Sequence, residues 1–509
     1  MARTQAYAGD WTERWWAHVV YVVGVAAAAL FVHPEAVNGV AASVLAVIGV
    51  IAMWRYSWAI LHFLRGMIFQ HLVFPRKRRR AEALAAEREP PHAYLLVTSF
   101  RIPTETTARV YEAAFHAALN AAGGATIIAS LVEMSDERLV KQLFRKIVGE
   151  EHPRVRLVLV RIAGTGKRDA LAYGMRAIAR FTPDPDDFVA VIDGDSIVPP
   201  DLVARTAPFF LLGDDVGALT TDETCEVEGG WIFQHWFPLR FAQRQVLMSS
   251  MGLSERVLTL TGRMSAFRAD IACNPSFIEM VEADYLDHWR LGRFKFLTGD
   301  DKSSWFWLLR EGYKMLYVPD VRVHTIETPP TSNFFRAAAM LMVRWFGNML
   351  RNNSRALALG PARMGFFTWW TILDQRLSMW TSLTGPVFAI LGAIFYTPQM
   401  LLLYLVWILV SRYAITLMLL SVRPRVSIAY PFLMFFNQVY GSAMKTFIFF
   451  RLDKQRWTRQ RTMLAQGGWS VGAAVRSWSS VYMHVVAVAA FVVAIALLMR
   501  IIPWPSWGI

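Results

Sequence analysis

The sequence predicts an α/β domain, a parallel sheet covered by helices, inserted between α-helical transmembrane segments. Three observations lead there. Apolar stretches of membrane-spanning length lie near both ends; strand-like and helix-like runs alternate between them; and a strand-like run in VIDGDSIVPP, residues 191–200, ends in Asp193 and Asp195.

The membrane elements follow from composition. Of 509 residues 55% are hydrophobic and 20 are Trp, and the mean hydropathy is +0.31. That exceeds what a soluble chain buries. Residues 17–33 and about 38–57 form an N-terminal hairpin whose turn, PEAVNG, has no Lys or Arg. The second span runs into Arg76, Lys77, Arg78, Arg79 and Arg80, a block that the positive-inside rule places in the cytoplasm together with the N-terminus. The first apolar stretch lacks a basic leader and is followed by a second span, so no cleaved signal peptide is expected. Residues 1–75 are therefore read as the transmembrane hairpin, 76–365 as the cytoplasmic working domain, and 366–509 as interface helices, transmembrane helices and a cytoplasmic loop.

Within 76–365, YLLVT (94–98), ATIIAS (125–130), VRLVLV (155–160) and FVAVID (188–193) read as strands. Between them DERLVKQLFRKIV places Leu139, Val140, Leu143 and Ile147 on one helical face. Such alternation builds a parallel sheet with ligands at the carboxyl ends of its strands, where Asp193 and Asp195 fall.

In the C-terminal third, 382–397 and 399–420 form a hairpin returning to the cytoplasm near Arg423 and Arg425. Residues 430–450 are apolar but interrupted by Pro431, Asn437, Gln438 and Lys445, and the basic RLDKQRWTRQR follows. An interfacial or re-entrant helix is expected there, then a last span at about 481–502, giving five spans and a periplasmic C-terminus. The net charge of +14 collects beside the spans, so membrane topology accounts for it and no nucleic-acid partner is expected. Cys225 and Cys273 have no CxxC partner, which argues against both a disulfide and a zinc site.

Two acids one residue apart repel unless a cation lies between them. At a sheet's carboxyl edge, Asp193 and Asp195 suit a divalent ion, Mg²⁺ or Mn²⁺, whose shell a nucleotide diphosphate completes. The alternative is a solvated turn. AGTGKRDAL (163–171) is a Gly-flanked basic turn that matches neither the Walker pattern, with Arg168 after Lys167, nor the Rossmann one, with Asp169 at the last Gly position. Lys167 is suited to a phosphate, or is simply a lysine at a helix N-terminus. LTGDDKSSW (297–305) adds Asp300 and Asp301, a carboxylate pair apart from the first that can supply a general base or cap a helix. In RWFGNMLRNNSR, Arg344 can pair with a departing diphosphate and Trp345 can face a sugar ring, or the two can anchor the membrane interface.

DGD, then GDD, then LMVRW resembles the signature of the processive family 2 glycosyltransferases, membrane synthases of cellulose, chitin and hyaluronan, with Leu341 where the pattern has Gln. DGDSIVPPDLV, TGRMSAFRA, GDDKSSWFWLL and RWFGNMLRNNSRAL are most similar to the alginate-polymerising branch of that family. The resemblance implies a GT-A-like domain and a GDP-mannuronate donor; the alternatives are a family 2 synthase of another β-linked polysaccharide from a UDP-sugar and a non-catalytic transporter or scaffold. It also implies a β-1,4-linked polyuronate product carried across the bacterial inner membrane. Asp301 would be the base, with Asp300 beside it; Asp193, Lys167 and Arg344 would hold the nucleotide; Asp193 and Asp195 would hold the metal; and Trp345 would flank the acceptor. Lys302 would balance a uronate carboxylate, or lie on a helix surface. Trp457 and Arg459 resemble the Trp and Arg of a gating loop over bound nucleotide, or are interface anchors. The family's cyclic di-GMP control would reside in a separate PilZ-type membrane subunit.

Overall fold

The strand-like runs all form strands. In a computed structural model describing residues 10–37, 42–455 and 471–503, they are β1 (Ala93–Thr98), β2 (Ala125–Leu131), β3 (Val155–Arg161) and β4 (Phe188–Asp193). The strands that follow are β5 (Ser196–Ile197), β6 (Val216–Val227), β7 (Met264–Arg268), β8 (Tyr285–His288), β9 (Gly292–Lys295) and β10 (Lys314–Glu327). Eight of them make one sheet in the order β3-β2-β1-β4-β7-β6-β10-β5, and β8 pairs with β9. Every residue of β1 and β2 is buried. Helices cover both faces, which is why these strands read as unbroken apolar runs rather than alternating ones.

The sheet is mixed, not all-parallel. β3, β2, β1 and β4 are parallel, but β7 runs antiparallel between β4 and β6, and β5 runs antiparallel to β10. The reason lies in the connection. After the helix Trp231–Gly252 the chain loops to the carboxyl edge, where the Asp193 N–H donates to Arg263 O at 3.0 Å. β7 therefore enters from that edge, and its first residues stand beside the end of β4. The helix expected from DERLVKQLFRKIV is Met134–Ile147, with Val140 and Phe144 buried.

The chain divides into two units. One comprises Leu64–Leu373 and Leu452–Gln466 and holds the sheet; the other comprises Met1–Phe63, Asp374–Arg451 and Gly467–Ile509. Among the described residues four helices are long and apolar enough to cross a membrane: Leu45–Ala86, Phe366–Phe395, Gln399–Ser421 and Val471–Leu498. The first expected span is a shorter helix, Trp15–Leu30. At ~1.5 Å per residue its length falls below the ~30 Å of a bilayer core.

The span expected at 382–397 begins sooner, inside Phe366–Phe395. Asp374, within that helix, is paired through its carboxylate with Arg55 of the same unit. Residues 430–450 form the single helix Tyr430–Phe449, with Pro431 in its first turn, where a missing N–H is harmless. Gln438 joins neighbouring helices, donating to Ser382 O at 3.0 Å and accepting from Arg412. Beside it a cavity of about 460 Å³ carries Arg55, Arg412 and Tyr404 among apolar side chains.

Candidate active site

β4 delivers Asp193 to the carboxyl edge, in register with Thr98 of β1. Gly194 follows because nothing larger fits: a Cβ there would lie 2.4 Å from Ile102 Cδ1 and 2.6 Å from Thr98 O. The second acidic motif comes from the helix Asp300–Glu311. Its N-cap, Gly299, has φ +83°, and an added Cβ would sit 2.7 Å from Asn348 Cγ. Glycine is required there twice over, by conformation and by space.

Lys167 opens the helix Lys167–Ala179 and joins the two motifs. Its Nζ lies 3.0 Å from Asp193 Oδ1 and 3.2 Å from Asp300 Oδ2. Burial alone would lower this lysine, but Asp193 and Asp300 outweigh it and hold the ammonium above its ordinary range. The acids respond differently. Burial raises the Asp193 carboxyl, which Lys167 opposes and Asp195 reinforces. Burial also acts to raise Asp300, but Lys167 and Arg168 together hold it below the usual carboxylate range. Asp301 is raised by burial and then by Asp300. Asp300 is thus the fixed anion, while Asp301 is the carboxylate with the greater proton affinity, as a general base requires.

Arg168, which spoiled the Walker pattern, brackets this arrangement from beneath. It donates to Val281 O at 2.7 Å, Thr298 O at 3.1 Å and Ser303 Oγ at 2.9 Å. Ser303 in turn donates to Asp284 at 2.6 Å, and Arg355 pairs with Asp284 at 2.8 Å. Asn348 accepts from Thr298 Oγ1 at 2.7 Å, and Arg351 reaches Leu452 O at 3.1 Å. Arg351, Asn352 and Asn353 are buried, and Asn348 and Arg351 hold Thr298 in the loop ahead of Asp300.

A cavity of about 50 Å³ opens between the ends of β1 to β4, lined in part by Thr98, Ser99, Gly164, Gly166, Lys167 and Asp193. The buried hydroxyls of Thr98 and Ser99 have no partner among the described residues. Polar groups of that kind are ready for a ligand's hydrogen bonds. Among the described residues no cluster of three or more His, Cys, Asp or Glu could hold a metal alone. The oxygen donors Asp193 and Asp195 fit a hard divalent ion that shares its shell with a diphosphate and water.

A second charged cluster adjoins the first. Arg263, whose carbonyl holds Asp193 N–H, pairs with Glu327 and, at 3.2 Å, with Glu223. Burial would lower its guanidinium, but Glu327, Glu223 and Asp195 hold it above its ordinary range. Arg240 stacks on Trp345 with its Cζ 3.9 Å from the ring centroid, and Trp345 lies 5.7 Å from Trp236.

Residues 90–348 match the family described as glycosyltransferase like family 2. The chain belongs to that family. This family 2 glycosyltransferase is 52% identical over 433 residues to "Glycosyltransferase alg8" of Pseudomonas syringae pv. tomato, covering 85% of this chain and 87% of that protein. It is 49% identical over 451 residues to "Glycosyltransferase alg8" of Azotobacter vinelandii, covering 88% and 91%. A solved mannosyltransferase from Pyrobaculum calidifontis, in complex with GDP-Man and Mn²⁺, aligns with a TM-score of 0.48 at 16% identity over 79% of this chain and 98% of that one.

Of the residues expected from sequence, Asp193, Lys167, Asp300 and Asp301 converge in this glycosyltransferase, and Asp195 follows Asp193 by two residues. Arg344 and Trp345 lie on the helix Phe334–Ala358, with Trp345 in the second cluster. Lys302 is not a surface lysine. It is buried, donates to Leu258 O, stands 4.6 Å over the Trp305 ring, and is lowered by burial to about 8. Trp457 and Arg459 lie outside the described residues. Sequence reasoning missed Thr98, Ser99, Arg240 and Glu223; only VTSF at a strand end carried a signal, for the first two.

Proposed function

We propose that this glycosyltransferase is a processive synthase. It polymerises GDP-mannuronate into β-1,4-linked polymannuronate, the alginate precursor, at the cytoplasmic face of the bacterial inner membrane and passes the chain across. The observation that carries the reading is the 52% and 49% identity, over 85% and 88% of this chain, to two proteins named glycosyltransferase alg8. The convergence of Lys167, Asp193 and Asp300 supports it, as does the charged cavity in the apolar unit.

In this reading Thr98, Ser99 and Lys167 bind the nucleotide, and Asp193 and Asp195 hold Mg²⁺ or Mn²⁺. When bound, the ion offsets the charge on the departing diphosphate. Asp301 takes the proton from the acceptor hydroxyl; its oxygen bonds to the donor's anomeric carbon as the bond to the diphosphate breaks, and GDP leaves with that electron pair. Asp300, held by Lys167 and Arg168, fixes the helix that carries Asp301. Arg344 assists the diphosphate and Trp345 flanks the acceptor. A PilZ-type subunit binding cyclic di-GMP supplies activation.

Purified membranes containing the chain, incubated in parallel with labelled GDP-mannuronate, GDP-mannose and UDP-sugars, test this reading. Polymer from GDP-mannuronate alone, enhanced by cyclic di-GMP and the partner subunit, is expected. Polymer from a UDP-sugar in its place would overturn the donor assignment, and no polymer from any donor would overturn synthesis.

A further inference from the structure

Three arginines stand close together in the cluster beside Asp195, and two of them are paired: Arg263 with Glu223 and Glu327, and Arg244 with Glu223 at 3.5 Å. Arg240 is the exception. Its guanidinium stacks at 3.9 Å on Trp345 and 5.2 Å from the centroid of Trp236, and no carboxylate of the described residues forms an ion pair with it. Burial lowers it to about 10, and Arg263 adds to that while Glu327 opposes. A desolvated cation without an anion is unfavourable. Stacking on the indole leaves the N–H edges of the fork free to meet a carboxylate side by side.

We propose that Arg240 reads the carboxylate of an acidic sugar unit lying along Trp345, so that this site selects an anionic over a neutral acceptor chain. The inference rests on the reading of Trp345 as the acceptor contact. The indole supplies a flat face for the sugar ring and Arg240 supplies the charge. Hydroxyls alone would leave the guanidinium uncompensated, so a neutral chain of the same linkage binds more weakly. A diphosphate offers the same oxygen chemistry, and the test separates the two.

Full-length protein in nanodiscs is titrated with a β-1,4-mannuronate hexamer, with the carboxyl-reduced neutral hexamer, and with GDP plus Mn²⁺. The wild type should prefer the acidic hexamer by roughly 10-fold or more, the scale of a hydrogen bond to a charged group. Arg240→Gln should abolish that preference while leaving GDP affinity unchanged. Arg240→Lys, which keeps the charge but loses the fork, should retain part of it. Melting temperatures report folding, and if the Gln variant does not fold, the Lys variant carries the test. A Gln variant, or failing that a Lys variant, that keeps the full acidic preference overturns the proposal. So does a variant whose loss falls on GDP, because Arg240 then serves the diphosphate. A wild type without acidic preference sinks the uronate reading of the synthase itself, a distinct failure.

Discussion

Lys167→Met removes the cation that two buried carboxylates share, and its consequence can be worked from the geometry. The ammonium stands 3.0 Å from Asp193 and 3.2 Å from Asp300. At an effective dielectric constant of ~20 each contact is worth roughly 5 kcal/mol of Coulomb energy, most of which offsets desolvation. Deleting one partner of such a buried set destabilises by about 3–5 kcal/mol. At ~2 °C per kcal/mol for a unit this large, melting should fall by roughly 6–10 °C. Because Asp193 and Asp300 raise Lys167, its stabilisation is fully present below the unfolded lysine's ~10.4 and is lost only as pH rises through the higher folded value. The assay is tryptophan fluorescence melting in nanodiscs at pH 7.5, first with EDTA and then with Mn²⁺. Mn²⁺ should raise the melting point of Lys167→Met more than that of the wild type, since a divalent ion at Asp193 and Asp195 restores the missing charge. Equal melting and an equal Mn²⁺ response would refute the reasoning.

Asp301→Asn should leave GDP affinity within a few-fold but cut polymer formation by roughly 10² or more, the scale of general-base catalysis; Asp195→Asn should instead abolish the metal-dependent part of GDP binding, read by titration. Asp301 is raised by burial and by Asp300 and, as the proposed base, would act when ionised, so initial rates should be full above its raised value and fall as pH drops through it. The acid limb should therefore lie above the range of an exposed aspartate in a rate profile taken at saturating donor. Lys302 is lowered to about 8 against ~10.4 unfolded. The unfolded chain holds more protons between those values, so stability should rise with pH across that window, and Lys302→Met should flatten the rise in melting-point series. Gly299→Ala meets Asn348 at 2.7 Å and must adopt φ +83°. It should destabilise by at least ~1–2 kcal/mol, and a variant with wild-type melting and turnover would show that the turn can relax.

How much the sequence disclosed depended on whether a feature is local. DGD after FVAVI declares the end of its strand, and GDD ahead of KSSWFWLL declares a helix start, because each needs only neighbours in the chain. Lys167 could be read as a basic turn but not as the tie between Asp193 and Asp300, since that depends on three segments meeting at one edge. The all-parallel sheet failed for a similar reason. MSAFR has the pattern of a strand, but its direction is set by the loop that brings Arg263 beside Asp193.

Lys302 shows where a local rule could have been pressed further. Successive residues on a helix are turned by ~100°, so a lysine directly after Asp301 faces elsewhere. Here it faces Leu258 and Trp305. The cluster around Arg263 was the least legible. Arg240, Glu223 and Glu327 come from three separate elements, each with the ordinary composition of its kind. Only the contrast between two paired arginines and one unpaired neighbour gives the cluster a direction. That contrast is a property of the fold, and it separates a set of structural ion pairs from a site that awaits an anion.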